Sequence, residues 1–197
     1  MVPLIKMDLP DLMVFENFLS PAECVELIVC AAQQLRPAKV VSDTSIETIT
    51  HSARTNSSTF LKRGQTRIIA DIERRISELT NTPVENGESL QVLCYEVGQE
   101  YKPHHDYFRP SREATPLHLK RGGQRIATFL MYLNTPESGG ETSFPDVGVS
   151  IRARQGNALL FRYPTPTPDT KTLHAGTPVT KGVKWAATKW IRESKFT

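Results

Sequence analysis

The sequence predicts a mainly β, α+β fold in which two N-terminal helices support a β-sandwich or barrel. Helical periodicity is confined to about residues 1–85, whereas from residue 90 onward short apolar segments alternate with Gly, Pro and polar turns. Such segments are typical of consecutive β-strands, and many short strands after two helices favour a sandwich or barrel with the helices outside. With 197 residues, 39% of them hydrophobic, the chain can bury a substantial core. We expect one domain over residues 1–197, with helical support in about 1–85 and the β core in about 86–197.

The first helix is predicted to begin after Ser20. Ser20 and Glu23 form a capping-box pattern, and Pro21 stands at the first helical position, where proline is favoured. The helix ends before Pro37, and its buried face is predicted from apolar residues at three- and four-residue spacing: Cys24, Leu27, Ile28, Ala31 and Leu35. A second amphipathic helix, closed by residues 81–83, is predicted from Ile68, Ile69, Ile72, Ile76 and Leu79. Both helices are expected to support the sheet.

The strands are predicted from short apolar runs between turn residues. Residues 3–15 are expected to open with a strand, and residues 40–60, rich in Ser and Thr, to form irregular strand and loop. The later strands are predicted at residues 90–97, 126–133, 147–151, 158–161, 173–179 and 185–191. Loops at 109–123 and 163–169 are either surface connections or substrate lids, because loops commonly carry binding residues.

Composition excludes several classes of protein. The net charge of +3 and the pI near 8.8 are too mild to imply nucleic-acid binding. No apolar run approaches the roughly 20 residues of a membrane span, and the N-terminal residues are too short and mixed for a secretory signal. We therefore expect no membrane partner and a cytoplasmic location. The three cysteines, Cys24, Cys30 and Cys94, are odd in number and scattered, which favours reduced thiols.

An imidazole and a carboxylate lie two positions apart in residues 101–108 (YKPHHDYF). In a β-strand, His104 and Asp106 would point to one face and His105 to the other. Two His and one carboxylate with open positions are the ligand set of non-haem Fe(II) oxygenases, and His174 is the candidate for the second imidazole. Zinc is the alternative metal, although zinc hydrolysis requires a general base for which no residue is a clear candidate.

Lys184 follows His174 within an apolar strand segment, where an unpaired ammonium would be costly. The ordered set of His104, Asp106, His174 and Lys184 is far more specific than the tripeptide alone. With these residues the chain resembles the prolyl 4-hydroxylase branch of the Fe(II)/2-oxoglutarate dioxygenases. The resemblance extends over most of the chain and includes residues 88–95 (ESLQVLCY), 98–101 (GQEY), 132–134 (YLN), 139–145 (GGETSFP) and 174–190.

The resemblance implies a double-stranded β-helix, or jelly roll, with Fe(II), 2-oxoglutarate and dioxygen as cofactors and cosubstrates and ascorbate as a further candidate. It implies that Lys184 grips the distal carboxylate of 2-oxoglutarate, that Tyr95 hydrogen-bonds the same molecule, and that Thr142 adds a hydroxyl. Trp190 would line the substrate site, and Arg109 is a further candidate for substrate contact. Each of these residues also has a purely structural alternative. Lys184 would then be an exposed strand lysine, Tyr95 a core aromatic residue, Thr142 a turn residue and Trp190 a residue of the packed core.

The function implied by the resemblance is hydroxylation of prolyl residues in a peptide or protein, with release of succinate and CO2. Asp106 favours hydroxylation over halogenation, because halogenases of the superfamily lack this carboxylate. A free amino acid or another peptidyl residue is an alternative substrate. A nucleic-acid demethylase is supported only by the basic residues of the 109–125 segment, so we do not expect a nucleic-acid partner. A jelly-roll binding module is the non-enzymatic alternative, and both a monomer and a homodimer remain open.

Overall fold

The structure is a computed structural model that describes residues 1–42, 44–45 and 47–197. Its helices are α1 (Pro21–Ala32), α2 (Arg67–Thr80) and α3 (Thr115–Leu119). Its strands are β1 (Ile5–Met7), β2 (Asp11–Phe15), β3 (Arg36–Pro37), β4 (Val40–Val41), β5 (Thr48–Ile49), β6 (Ser57–Leu61), β7 (Leu90–Tyr95), β8 (Tyr101–His104), β9 (Arg125–Tyr132), β10 (Ser138–Gly139), β11 (Thr142–Phe144), β12 (Val149–Ile151), β13 (Ala158–Arg162), β14 (His174–Gly176), β15 (Val179–Lys181) and β16 (Lys184–Arg192). Within these ranges no helix is long and apolar enough to cross a membrane.

Two antiparallel sheets form the core. The larger sheet has eight strands in the order β1-β2-β13-β9-β16-β7-β6-β3, and the smaller has four in the order β12-β11-β14-β8. Side chains of both sheets meet in one buried cluster, where Phe144 of the smaller sheet packs with Tyr95, Tyr132 and Phe161 of the larger one. This arrangement is the double-stranded β-helix that the resemblance implied.

The two long helices cover the outer face of the larger sheet. Helix α1 begins with the predicted capping box, in which Ser20 and Glu23 exchange hydrogen bonds, and α2 ends at Asn81 in the left-handed conformation. Their buried residues include Leu27 and Ile72, which pack with outward-facing residues of β7, β9, β13 and β16. Both predicted helices are therefore present, but α1 ends at Ala32, so Leu35, predicted on its buried face, lies beyond the helix. The inner face of the sheet is left for the candidate site.

Several predicted strands differ from those observed. The single strand expected in residues 3–15 is the hairpin β1–β2, and the strand expected at 173–179 divides into β14 and β15 on either side of Pro178, which has no N–H to donate. The strand expected at 147–151 begins at Val149 after a 3₁₀ turn. Residues 40–60 contain the short strands β4, β5 and β6, and two positions of this predicted loop, 43 and 46, lie outside the described residues.

The extended segment predicted at residues 101–108 ends at His104. Asp106 follows in a bend, so strand alternation is not what brings the two side chains together. His118 lies on α3, and its ring stacks parallel to Phe108 with centroids 5.0 Å apart. His105 is half-buried rather than outward, and its ring stacks on Tyr107 at 4.6 Å.

A buried ion pair joins α2 to the larger sheet. Lys189 and Glu73 are 2% and 1% exposed at their side chains and form a direct salt bridge. The second oxygen of Glu73 accepts a hydrogen bond from the backbone N–H of Gly64 at 2.9 Å. Gly87 leaves room for the Lys189 stem, because a Cβ at that position would collide with Lys189 Cε. The pair is therefore enclosed and hydrogen-bonded on both sides.

We expect Lys189→Met to lower the free energy of unfolding by about 3–5 kcal/mol, because it leaves the Glu73 carboxylate buried without its cation. The double variant Glu73→Gln/Lys189→Met should recover a large part of that loss, since it removes the uncompensated charge. Urea unfolding followed by circular dichroism measures both. Equal stability of the single and double variants would contradict this account of the pair.

Candidate metal centre and cosubstrate pocket

Three predicted ligands meet between the two sheets. His104 at the end of β8, Asp106 in the following bend and His174 at the start of β14 bring one ligand atom each within 4.8 Å of one another. Nε2 of His104 lies 3.6 Å from one oxygen of Asp106, and Nε2 of His174 lies 3.6 Å from the other. The two histidines are register partners in the smaller sheet, which explains why residues distant in sequence converge.

Both imidazoles are oriented by the backbone two residues earlier. Nδ1 of His104 donates to the carbonyl of Lys102 at 2.9 Å, and Nδ1 of His174 donates to that of Thr172 at 3.0 Å. A carbonyl can only accept a hydrogen bond, so each neutral ring carries its proton on Nδ1 and presents a lone pair at Nε2. The ring of Tyr101 stacks on His104 with centroids 3.5 Å apart and further restricts it.

The protonation states suit a metal. Burial, together with the neighbouring His174, lowers the pKa of His104 well below its usual range, so the ring is neutral at pH 7. Burial opposes ionisation of Asp106, but the two histidines, Arg125 and the Thr128 hydroxyl outweigh it and lower its pKa to about 2. Neutral imidazoles and an ionised carboxylate are the forms that bind divalent metals. The protonation states of His104 and Asp106 therefore suit a divalent metal such as Fe(II).

Residues of the larger sheet hold Asp106 in place. The Thr128 hydroxyl donates to Oδ2 of Asp106 at 2.6 Å and is itself 2.8 Å from the Tyr163 hydroxyl. Arg125 donates to the Asp106 carbonyl at 3.2 Å while its guanidinium forms two short hydrogen bonds with the buried carboxylate of Glu88. Hydrogen bonds from the larger sheet thus hold the bend after β8. The Asp106 carboxylate cannot turn away from the histidines without losing these bonds.

A small pocket of about 50 Å³ connects the three ligands with Lys184. Lys184, 3% exposed, pairs in register with Tyr95, and its Nζ faces the rings of Tyr95 and Tyr132 at 5.1 and 5.7 Å. Burial lowers the pKa of Lys184 to about 8, and the charge of Glu141 only partly opposes this shift. Thr142 lines the same pocket and accepts a hydrogen bond from Tyr132 at 2.8 Å. The pocket offers a buried cation to an anionic ligand.

A much larger groove of about 790 Å³ opens on the other side of His104 and Asp106. Trp190 lines both cavities, and within the described residues its indole Nε1 is buried without a hydrogen-bond partner. Its ring lies under the guanidinium of Arg125 at 3.9 Å. Arg109 is exposed and lines the groove only.

The structure thus brings together the predicted His104, Asp106, His174, Lys184, Tyr95 and Thr142, with Trp190 beside them and Arg109 at the groove. His105 is absent from the metal-ligand cluster found among the described residues, as predicted. Sequence reasoning missed Thr128, Tyr101 and Arg54, which also line the small pocket. No local pattern marks them, because their position depends on strand register.

Comparisons with known proteins agree with this geometry. The 2OG-Fe(II) oxygenase superfamily matches residues 90–192. The chain is 42% identical over 208 residues to "Probable prolyl 4-hydroxylase 10" of Arabidopsis thaliana, a match that covers 95% of this chain and 70% of that relative. The viral collagen prolyl hydroxylase vCPH of Paramecium Bursaria Chlorella virus-1, solved as a 2OG complex, is similar with TM-score 0.72 and 30% identity, over 92% of this chain and 95% of that one. A prolyl hydroxylase from Trichoplax adhaerens, in complex with a hypoxia inducible factor peptide fragment, shares the fold with TM-score 0.63 and 17% identity, over 92% of this chain and 83% of that one.

The chain therefore belongs to the 2OG-Fe(II) oxygenase superfamily. It is a dioxygenase that depends on Fe(II), 2-oxoglutarate and dioxygen. Within the superfamily it is a prolyl 4-hydroxylase-like member, as the resemblance indicated. The zinc-hydrolase and binding-module alternatives are thereby set aside.

Thr128→Val should weaken Fe(II) affinity by roughly tenfold or more, because it removes the hydrogen bond that orients the Asp106 carboxylate while keeping the side-chain shape. Anaerobic calorimetric titration with Fe(II) measures the change. Thr180→Val is a matched control, since Thr180 is an exposed strand residue away from the site. Unchanged affinity in Thr128→Val would contradict the positioning role.

Lys184→Met should stabilise the ligand-free protein at pH 7. The pKa of Lys184, lowered from 10.5 to about 8 by burial, corresponds to a cost of roughly 3 kcal/mol for keeping the ammonium charged. That cost is fully present below pH 8 and disappears as the pH rises towards 10.5, so the advantage of the variant should shrink over that window. Thermal unfolding at several pH values measures it, and Lys181→Met, at a side chain 72% exposed, is the control. Lower stability of Lys184→Met at pH 7 would contradict the assignment of an uncompensated charge.

Proposed function

We propose that the enzyme hydroxylates prolyl residues within a peptide or protein. The observation that carries the proposal is the meeting of two cavities at His104 and Asp106: a small pocket of about 50 Å³ that contains the buried Lys184 and an open groove of about 790 Å³. The small pocket suits an anionic cosubstrate because it contains a buried cation, whereas a groove of about 790 Å³ exceeds what a free amino acid needs. A segment of polypeptide can lie in the groove with one residue at the metal.

The small pocket is assigned to 2-oxoglutarate. In this assignment the ammonium of Lys184 pairs with the distal carboxylate, and the hydroxyls of Tyr95 and Thr142 hydrogen-bond the same molecule. The pKa of Tyr95 is raised to about 12 by burial, so its hydroxyl keeps its proton and can donate. Binding of the dianion would supply the partner that the buried ammonium lacks in the described part of the chain.

The metal is assigned to His104, Asp106 and His174. When bound, Fe(II) supplies the activation of dioxygen that drives decarboxylation of 2-oxoglutarate and hydroxylation of the substrate. The chain contributes position and exclusion of water: Tyr101 covers one imidazole, and the cluster of Phe144 and Phe161 packs around His174 at 5.9 and 4.7 Å between ring centroids.

The open groove is assigned to the substrate. Trp190 lies where the groove meets the small pocket, and its indole N–H, which has no partner among the described residues, can donate to a substrate carbonyl. Arg109 lies on the exposed rim. Proline as the target residue is supported by the prolyl 4-hydroxylase names of relatives at about 40% identity and by the viral collagen prolyl hydroxylase at 30%.

The test is incubation of the enzyme with Fe(II), 2-oxoglutarate, ascorbate and a panel of proline-containing peptides. Mass spectrometry should find a one-oxygen gain on proline, with one succinate formed for each hydroxylation. His174→Ala should abolish both products while circular dichroism remains unchanged, and His105→Ala should keep most activity. Oxygen gain on free amino acids or on non-prolyl residues alone would overturn the proposal.

Four properties expected from the sequence stay predictions: a single domain over residues 1–197, a cytoplasmic location, a homodimer as an alternative to the monomer, and stimulation by ascorbate. A peptide or protein partner is supported by the open groove and by the relatives above.

A further inference from the structure

The open groove carries a pronounced excess of positive charge. Its basic residues are Arg36, Lys39, Arg54, Lys102, Arg109, Arg112 and Arg125. Among the described residues that line it, the carboxylate is that of Asp106, whose two oxygens face the imidazoles of the metal site. That carboxylate is therefore already committed to the metal.

Arg125 and Arg54 form the floor of the groove, and they differ in whether a carboxylate neutralises their charge. Arg125 is neutralised from behind by its paired hydrogen bonds with Glu88. Arg54, 6% exposed, donates from Nε to the amide oxygen of Asn56, from Nη1 to the carbonyl of Lys39, and from Nη2 to the amide oxygen of Gln91. All three acceptors are uncharged, and no carboxylate of the described chain forms an ion pair with this guanidinium. Its charge is hydrogen-bonded but not neutralised.

The rim adds cations close to the metal. Lys39, Lys102 and Arg109 are exposed, and no described carboxylate lies within ion-pairing distance of them. Lys102 precedes His104 by two positions on β8, which corresponds to about 7 Å along a strand. Arg109 follows Asp106 by three positions. Cations thus stand on both sequence flanks of the metal ligands, and the separation of Lys102 from His104 along β8 is one that about two residues of an extended peptide would span.

We propose that the groove selects prolines whose neighbours in the peptide are Asp or Glu, an inference that rests on the prolyl hydroxylation proposed above. An acidic side chain one or two positions from the target proline pairs with Lys102, Lys39 or Arg109. The peptide carboxylates also approach the uncompensated charge of Arg54. In this arrangement the contacts at the metal accept the target proline. The cations of the rim select the residues that stand on either side of that proline in the peptide.

Single-stranded nucleic acid is the other polyanion that a basic groove attracts, but the aromatic residues of the groove do not suit it. Nucleic-acid grooves of this kind stack successive bases on exposed aromatic rings. Here Tyr101 is already stacked on His104, Tyr107 on His105 and Phe108 on His118, which leaves Phe60 and the imidazole of His51 as the exposed rings among the described lining residues. A flexible acidic peptide, which requires no stacking platform, matches the groove better.

The experiment compares peptides that share a central proline and differ only in flanking residues: Asp, the neutral isostere Asn, or Lys. The catalytic efficiency, kcat/KM, is measured from succinate formation and from the one-oxygen mass gain. Each exposed charge pair changes affinity by about two- to fivefold, so we expect the Asp peptide to exceed the Asn peptide by roughly tenfold when two or three pairs form. The advantage should reside in KM and should shrink between low and high ionic strength.

Charge reversal tests which residues are responsible. Lys39→Glu and Lys102→Glu should each reduce the Asp-to-Asn ratio, and the double variant should reverse it in favour of the Lys peptide. Arg67→Glu is the matched control, because the side chain of Arg67 is 96% exposed and begins α2 on the opposite face of the larger sheet. It changes the net charge equally and should leave the ratio unchanged.

The outcomes separate this inference from the proposed function. Equal efficiencies for the Asp and Asn peptides, or a change of the ratio in Arg67→Glu as large as in Lys102→Glu, would overturn the selection for acidic flanks while prolyl hydroxylation stands. Absence of oxygen gain on every proline peptide would overturn the proposed function and the inference with it. Stronger binding of a single-stranded oligonucleotide than of the Asp peptide, measured by fluorescence anisotropy, would assign the groove to nucleic acid instead.

Discussion

The site depends on the alternation of side chains along the central strands of the larger sheet. On β16, Lys184, Thr188 and Trp190 line the small pocket, whereas Ala187 and Ile191 pack in the cluster under the helices. Strand β9 alternates in the same way, with Thr128 on the pocket side and Phe129 and Met131 on the helix side. Side chains along a strand alternate between the two faces, so a register shift of one residue would exchange the two sets. Such a shift would remove Lys184, Trp190 and Thr128, the hydrogen-bond partner of Asp106, from the site together. The helix face, filled by apolar side chains, holds this register.

Buried charges occur on both faces of the sheet, but they are treated differently. On the helix face, Lys189 is paired with Glu73 and enclosed. On the site face, Lys184 faces two tyrosine rings, and Arg54 donates only to uncharged acceptors. Lys189 is thus compensated where it serves packing, whereas Lys184 and Arg54 have no carboxylate partner among the described residues where a ligand can reach them. Uncompensated buried charge lowers the stability of the ligand-free protein, so ligand binding and stability oppose each other at these positions.

The parts of this arrangement that follow from residue type and order were predictable from the sequence. The two long helices were marked by capping residues and apolar spacing, and the ligands and Lys184 were marked by chemistry that a strand-rich core does not otherwise require. Thr128 and Arg54 were not predictable, because each acquires its role only through register with a distant strand. The bend that places Asp106 was also missed: His104 ends the pairing of β8 with β14, and the hydrogen bond from Thr128, rather than strand alternation, directs the carboxylate. The stacking of His118 on Phe108 was not predictable either, because it is a tertiary contact.

Formal charges explain why the groove cations need a partner other than the cosubstrate. Fe(II) brings two positive charges and 2-oxoglutarate two negative ones, while Asp106 and Lys184 oppose each other and both histidines are neutral ligands. The loaded small pocket is therefore close to neutral without any contribution from the groove. Arg54 and the rim cations, which have no carboxylate partner among the described residues, are not neutralised by the cosubstrate, and they lie in a cleft where low-dielectric walls strengthen the field. Under the inference above, the molecule that occupies the groove supplies the opposite charge, so the electrostatics of the substrate rather than those of the cofactors would be recognised by this part of the chain.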